Sequence, residues 1–378
     1  MIQRSIYIHI PFCKHKCGYC DFLSFPVHDE QKMDDYVELI KKEIFLYKKE
    51  LEESEIDSVF FGGGTPSMLG EKRLNALLDE IKPYIHSECE ITLEANPESF
   101  LLLDGKALVE NGFNRLSLGV QSGSEKILNI IERVHNVEEA KKAFYYGRKS
   151  GFSSINLDFI SSVPGETMKE VKDTLELIEE LNPDHVSLYS MILEEGSRFY
   201  QLWKQGKMEL VEEEEDRKHL HDYRKKIVSL GYHQYEISNY AKPGHECKHN
   251  RGYWKLKDYF GFGLGSHSNI GMKRYWNERK WIKFEEKIRA NKKPILEEEI
   301  LTPLDRSNEK IMLGIRMNEG LDIWEKLPDG NTISEIFQRE IKALSKDGLI
   351  EEKEGRIVLT ERGQDLSNQV EERFFRIK

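Results

Sequence analysis

The chain lacks any apolar run near the roughly 18–20 residues of a membrane span, which excludes a helical transit of the bilayer. It also lacks a basic excess. Its 56 Lys and Arg stand against 67 Asp and Glu, and the net charge of −11 has the wrong sign for holding nucleic acid by bulk charge. The opening residues, Met1 to His9, contain no apolar signal core and no small-residue cleavage site, so a cytoplasmic protein is expected. Internal repeats beyond a strand–helix period are missing, as are low-complexity segments. Cysteine is scarce and odd in number, five in all. Three of these, Cys13, Cys17 and Cys20, fall within eight residues, while Cys89 and Cys247 stand apart. In a reducing compartment such a cluster indicates a metal site rather than a disulfide framework. The chain does have enough apolar residues, 39% of 378, to build real cores, and its length suits two domains or one large domain with an appendage.

The first half alternates short β-rich runs with amphipathic helical ones. Strands are expected at 4–10, 57–61, 90–95, 115–120, 155–160 and 185–192, rich in Ile, Val, Leu, Phe and Tyr. One helix is expected to open at Asp34, with apolar residues at Val37, Ile40, Ile44 and Leu51. Others are expected over 73–81, 106–110, 140–149 and 170–181, the last stopping before Asn182-Pro183. Six βα units in series imply a parallel sheet covered by helices, and both a doubly wound sheet and a barrel-like one fit that count. Unusual residues follow every strand: the cysteine loop, Gly62-Gly63-Gly64-Thr65-Pro66, Glu94-Ala95-Asn96-Pro97, Gly119-Val120-Gln121-Ser122, Asp158 with Pro164-Gly165, and Tyr189. A barrel-like sheet gathers all six strand ends at one mouth, whereas an open doubly wound sheet uses those near its switch point. The expected fold class is therefore α/β, a partial (β/α)6 TIM-like barrel over 1–195, extended by 196–300.

Helices are expected over 197–206 and 212–230, the second opening on the acidic run Glu212–Asp216, then a Gly- and aromatic-rich stretch from Tyr232 to Trp281. Residues 301–378 show two helices, two short strands around Glu354-Gly355 and a last helix, the pattern of a winged-helix-like α+β module. Its net charge from 303 onward is −3, and its candidate recognition helix, 334–346, sets Arg339, Lys342 and Lys346 against Glu335 and Glu340, no substantial basic excess, so DNA binding is a poor reading.

Cys13-x-x-x-Cys17-x-x-Cys20 carries the strongest chemistry. Three thiolates on one tight loop can hold three irons of a [4Fe–4S] cluster and leave the fourth open to a small ligand. The competing reading is zinc, with His9 or His15 as fourth ligand, but structural zinc loops usually stand as paired knuckles and there is no second pair here. The Gly62–Thr65 turn lets backbone approach a ligand closely and can offer N–H groups to a carboxylate, although a lone Gly-rich βα turn is more often just a turn.

The run Tyr7-Ile8-His9-Ile10-Pro11-Phe12-Cys13-Lys14-His15-Lys16-Cys17-Gly18-Tyr19-Cys20 resembles the signature of radical S-adenosylmethionine (SAM) proteins, and more narrowly the oxygen-independent coproporphyrinogen III oxidase-like family. Gly62–Ser67, Glu94–Pro97, Gly119–Ser122, Glu132-Arg133-Val134-His135-Asn136, Asn156-Leu157-Asp158 and Leu359-Thr360-Glu361-Arg362-Gly363 extend the likeness over nearly the whole chain. The resemblance implies that Cys13, Cys17 and Cys20 hold the cluster. It implies that SAM takes the open iron, contacted by Tyr7, Tyr19, Gly63, Gly64, Thr65, Glu94, Gln121, Arg133 and Asp158. A carboxylate can accept from ribose hydroxyls or an ammonium, and Arg133 can hold a carboxylate in a two-pronged pair. The family usually has a Tyr-Gly-Leu-Pro-Gly-like run after the fifth strand, where this chain has Ser161-Ser162-Val163-Pro164-Gly165.

The oxidases of this family carry a further cysteine two residues past the last cluster cysteine and a longer N-terminal extension. Here Phe22 occupies that position and 12 residues precede Cys13. In these features, and in His249-Asn250-Arg251-Gly252-Tyr253-Trp254, the chain resembles the HemW-type haem chaperone branch of the family. That likeness implies that 196–300 binds haem through His249, Asn250, Tyr253 and Trp254, with imidazole as axial ligand and aromatic rings on the porphyrin. Cys247 is a second candidate ligand and His267 a weaker one. The implied cofactors are a [4Fe–4S] cluster, SAM and haem. The implied partners are a haem-acceptor apoprotein and an electron donor such as flavodoxin or ferredoxin. The alternative implied by the same fold is decarboxylation of porphyrinogen propionates.

Overall fold

The computed structural model describes residues 2–376. Six strands run parallel in chain order: β1 (Ile2–Ile10), β2 (Ser54–Gly63), β3 (Ile85–Ala95), β4 (Arg115–Gln121), β5 (Ser154–Ser161) and β6 (His185–Ser190). Their side chains alternate: Ile6, Ile8, Leu93, Leu116, Leu118, Leu157 and Val186 pack into the main apolar core, while Ser58, Thr92, Ser117, Asn156 and Ser187 between them are polar yet buried on the other face of the sheet. In β4 every residue but the last is buried. The covering helices include α1 (Glu30–Leu46), α2 (Glu71–Ile81), α3 (Gly105–Asn111), α4 (Val137–Ser150) and α5 (Met168–Leu181). One continuous core joins these helices to the strands, with Tyr36, Phe61, Phe100, Phe113 and Phe159 among its largest enclosed side chains. Each such residue contributes about 1.5–3 kcal/mol by leaving water.

The sheet continues beyond both ends of this series to a total of 12 strands. Past β6 lie β8 (Asn239–Ala241) and β7 (His233–Glu236), antiparallel. Past β1 lies β9 (Tyr259–Phe262), parallel to it, then β10 (His267–Ile270), β11 (Lys273–Asn277) and β12 (Ile295–Ile300), antiparallel. Among the described residues β7 and β12 do not pair with each other, so the barrel is open and partial, as expected. No described helix is long and apolar enough to cross a membrane. A separate apolar core gathers Ile311, Leu321, Ile341, Leu344, Ile357 and Val370 around a three-stranded sheet at the C-terminus.

The element bounds differ from expectation in physically informative ways. Helix α1 opens at Glu30 rather than Asp34, because the Asp29 carboxylate caps it by accepting from Gln31 and Lys32 N–H. The chain breaks at Tyr47, so Leu51 sits on a separate short helix, Lys48–Glu52. Strand β2 runs on through Gly63, taking two of the three glycines into the sheet. The C-terminal helix expected over 334–346 is interrupted at Phe337, leaving Ile333–Ile336 and Gln338–Lys346.

The extension is fastened to the barrel by polar groups of α1. The Tyr36 hydroxyl donates to His9 O (2.8 Å) and accepts from Leu264 N (2.9 Å). The buried Glu43 carboxyl accepts from Gly263 N (2.8 Å) and Asn277 Nδ2 (2.6 Å). Burial pushes this carboxyl up to about 8 despite both donors, against an ordinary value of about 4.3. A raised acid favours folding while protonated. Its contribution is complete below about pH 4.3 and is lost as pH rises through about 8. Glu43→Gln stays neutral throughout, so thermal unfolding from about pH 5 to about pH 9 should show the wild-type chain losing more stability than the variant. Equal losses would remove this assignment.

Candidate active site

Parallel register brings the two loops of the site together. Ile8, His9 and Ile10 of β1 lie opposite Phe61, Gly62 and Gly63 of β2. Where the strands end, Gly64 N donates to Ile10 O (2.8 Å) and Thr65 N to Phe12 O (2.7 Å). The Thr65 hydroxyl lies 3.6 Å from Cys13 Sγ. A Cβ on Gly64 would sit 2.7 Å from Phe12 O and 3.0 Å from Cys13 Sγ, so no side chain fits there. Gly63 has φ +114°, a conformation that other residues rarely adopt. The cysteine loop is covered by the helix Arg198–Lys204: Phe199 N donates to Gly18 O (2.9 Å), and its ring lies 2.3 Å from where a Gly18 Cβ would be.

These loops border a cleft of about 430 Å³ at the carboxyl ends of the strands. Cys13, Cys17 and Cys20 line it together with Tyr19, Gly63, Gly64, Thr65, Glu94, Gln121, Arg133 and Asp158. Tyr7 does not join them. Its hydroxyl is bonded to His9 Nδ1 (3.0 Å), and its side chain lines a neighbouring cleft.

Arg133 is presented by a loop fixed at both sides. The His135 ring meets Val120 O (3.1 Å), and Asn136 and Glu139 cap α4 reciprocally. Arg133 Nη2 donates to Asn96 Oδ1 (2.5 Å) and Gly119 O (2.8 Å), and Nη1 reaches Cys17 Sγ (3.6 Å). Its buried Nε has no partner among the described residues. Asn96 also donates to the Thr65 hydroxyl (3.2 Å), tying arginine, glycine turn and cysteine loop together. Sequence reasoning assigned Asn96 no role, although it stands in the matched Glu94–Pro97 run; an Asn before Pro usually signals a turn.

Two carboxyls face the cleft from strands. Glu94 accepts from Gly63 N (3.2 Å), and burial together with nearby Asp158 pushes it up to about 8. Asp158 accepts from Ser117 (3.0 Å) and Asn156 (2.8 Å), and burial raises it too. Gln121 enters the cleft with φ +69° at the end of β4. The missing family glycine after β5 has a structural substitute. Ser162 keeps the left-handed backbone, φ +64°, held by its N–H to Glu166 Oε2 (2.7 Å) and its hydroxyl to Asp216.

The residues present fit an iron–sulfur cluster with SAM. All three thiols line the cleft, and among the described residues no three His, Cys, Asp or Glu side chains are gathered as ligands of a single metal ion such as zinc. Both proposed fourth zinc ligands are engaged elsewhere. His9 bonds Tyr7 and, through Nε2, Leu23 O (2.8 Å), while His15 faces Glu132 at 3.7 Å. The unpartnered Arg133 Nε and the close-backbone turn at Gly64 suit an anionic, tightly held ligand.

The residues expected to hold haem are differently placed. His249 is 1% exposed, on the helix Lys248–Trp254, with Nδ1 on Ser58 Oγ (3.1 Å), Nε2 on Tyr253 OH (2.9 Å) and its ring stacked on Phe60. Both nitrogens are used inside the barrel, so this arrangement corrects the expectation of a His249 axial ligand. Cys247 is buried against Glu90 (3.4 Å), and Trp254 packs under the Arg316 guanidinium, 5.1 Å from its ring. Asn250 is half-buried on the same helix. Of that run, Tyr253 reaches an open cleft.

Residues 7–178 match the Radical SAM superfamily and residues 301–366 the HemN C-terminal domain. Among relatives described as "Heme chaperone HemW", that of Bacillus subtilis (strain 168) is 34% identical, covering 97% of this chain and 98% of its own. The chain belongs to the HemW family. The Escherichia coli (strain K12) HemW is 37% identical over 70% of each chain. In fold, the chain superposes on coproporphyrinogen III oxidase (HemN) from Escherichia coli with a TM-score of 0.82 at 23% identity, covering 99% of this chain and 90% of that one. Radical SAM membership implies a [4Fe–4S] cluster and SAM for this HemW-family chain, and Cys13, Cys17 and Cys20 line the cleft described above.

Replacing any of Cys13, Cys17 or Cys20 with Ala should abolish the cluster, because two thiolates do not hold it. Cys89→Ala should retain it, since Cys89 is buried in β3 away from the cleft. Iron and sulfide analysis after anaerobic reconstitution decides this, and full retention in Cys17→Ala would sink the assignment. Gly64→Ala should lower both thermal stability, by about 1–3 kcal/mol, and cluster content, since the clash is with backbone. Unchanged melting and iron content would show that the close approach is dispensable.

Proposed function

We propose that this protein is a haem chaperone: it binds haem, carries a [4Fe–4S] cluster and SAM, and hands haem to an acceptor apoprotein in the cytoplasm. A flavodoxin or ferredoxin serves as electron donor. A bound cluster supplies one-electron reduction. The chain's own residues do the rest. Cys13, Cys17 and Cys20 hold the cluster, and the Gly63–Thr65 backbone and Arg133 face SAM's charged end. Glu94 and Asp158 offer acceptors further down the cleft.

Phe22 carries this reading. It is 62% exposed and lines both the cluster cleft and the cleft beside it. The oxidases place a thiol there. Phenylalanine offers neither proton nor metal ligand, but it does offer an apolar face to a flat macrocycle. The relatives covering nearly the whole chain, described as heme chaperones, support the same reading.

The test is an anaerobic assay of reconstituted protein, with haem titration and coproporphyrinogen turnover run side by side. Saturable haem binding without decarboxylation is expected. Turnover at the rate of a true oxidase, with no haem binding, would reverse the assignment.

A further inference from the structure

Beside the cluster cleft lies a second one of about 310 Å³, which shares Asp21 and Phe22 with it. Two imidazoles border it. His9 has both nitrogens engaged, by Tyr7 and by Leu23 O. His267, the first residue of β10, is exposed, stacks on Trp276 of the neighbouring strand (5.6 Å between centroids), and makes no hydrogen bond or ion pair among the described residues. Partial burial, with Arg279 and Arg274 nearby, lowers its pKa. Arg279 also lines the cleft, is exposed and has no ion-pair partner among the described residues. The rest of the lining holds the aromatic residues Tyr7, Phe22, Tyr253 and Tyr259, the last two with ring centroids 4.7 Å apart, alongside Asp21, Leu23, Gly265 and Ser266.

A free imidazole, a free guanidinium and exposed aromatic faces at one cleft match the three parts of an iron porphyrin: axial position, propionates and flat macrocycle. We propose that this second cleft is the haem site, with His267 the axial ligand, Arg279 the partner of a propionate and Phe22 part of the wall. The assignment rests on the haem-binding function proposed above and replaces His249 in it. At about 310 Å³ the cleft is at the small end of ligand sites. It grips part of the ring and leaves the rest exposed, as transfer to an acceptor requires.

The experiment titrates ferric haem into full-length protein: wild type, His267→Ala, Arg279→Ala and His249→Ala, with iron content and thermal melting measured on each. His267→Ala should lose about tenfold or more in affinity and move the Soret band, and added imidazole should bring the band back. Arg279→Ala should weaken binding severalfold with the band in place. His249→Ala should lower the melting temperature and leave the band unmoved. If His267→Ala does not fold, His267→Met, which offers a thioether in the same place, decides: a moved band supports ligation and an unmoved one overturns it. Unchanged affinity and spectrum in His267→Ala, with wild type binding haem, would overturn the site and leave the chaperone function standing. No haem binding by wild type would instead sink the function itself.

Discussion

The site depends on how closely one backbone can approach another. Gly64 and Thr65 donate to Ile10 O and Phe12 O at 2.8 and 2.7 Å, and that contact seats the glycine turn directly on the cysteine loop. A loop of three thiols has little structure of its own. Its conformation is set by what it is bonded to: the end of β1, the glycine turn and the helix Arg198–Lys204 over Gly18. Two glycines that accept no Cβ, at 18 and 64, therefore matter as much as the cysteines, since they let the surrounding chain close in. Parallel register does the rest, because it ends β1 and β2 side by side.

Charge in the cleft follows the same logic. Arg133, Glu94 and Asp158 are all largely enclosed, and enclosed charges are unfavourable unless each has partners. Arg133 has Asn96, Gly119 O and the cysteine sulfur; Asp158 has Ser117 and Asn156; Glu94 has a backbone N–H. Each set is incomplete. Glu94 is left with a raised pKa and Arg133 with a bare Nε. A ligand carrying both ammonium and carboxylate completes both sets at once, so the cleft is organised around complementary deficits rather than around a single charge.

Much of this was legible in the sequence. The six βα units, their order and the gathering of chemistry at strand ends follow from apolar periodicity and from where glycine, proline and charged residues interrupt it. The cysteine loop and eight of the nine residues expected to contact SAM each belong to a local motif, and all of these line one cleft. What escaped depends on contacts between distant segments. Asn96 looked like an ordinary turn residue until its amide linked Thr65 to Arg133. Ser162 looked like a lost glycine, yet the turn survives because Glu166 and Asp216 hold it. His249 looked like a candidate haem ligand because a short polar-aromatic run has no burial signature. Ser58 and Phe60, nearly 200 residues earlier in the chain, enclose it.

The likeness to coproporphyrinogen III oxidase, at a TM-score of 0.82, is one of fold, and function lives in the sites grafted onto a fold. One difference from the oxidase pattern falls at the boundary between two clefts, where this chain has Phe22. A thiol at that position puts a reactive, ionisable group into the cluster cleft; Phe22 makes the boundary apolar and inert. The second cleft lies where β1 and the cysteine loop meet the extension, whose strands continue the same sheet and core and are further tied to α1 through Tyr36 and Glu43. The two clefts share Asp21 and Phe22, so the residue that closes off one also shapes the edge of the other. A chain with the three cysteines in place and phenylalanine at that boundary keeps the thiols that would hold a cluster while presenting an apolar face to the neighbouring cleft.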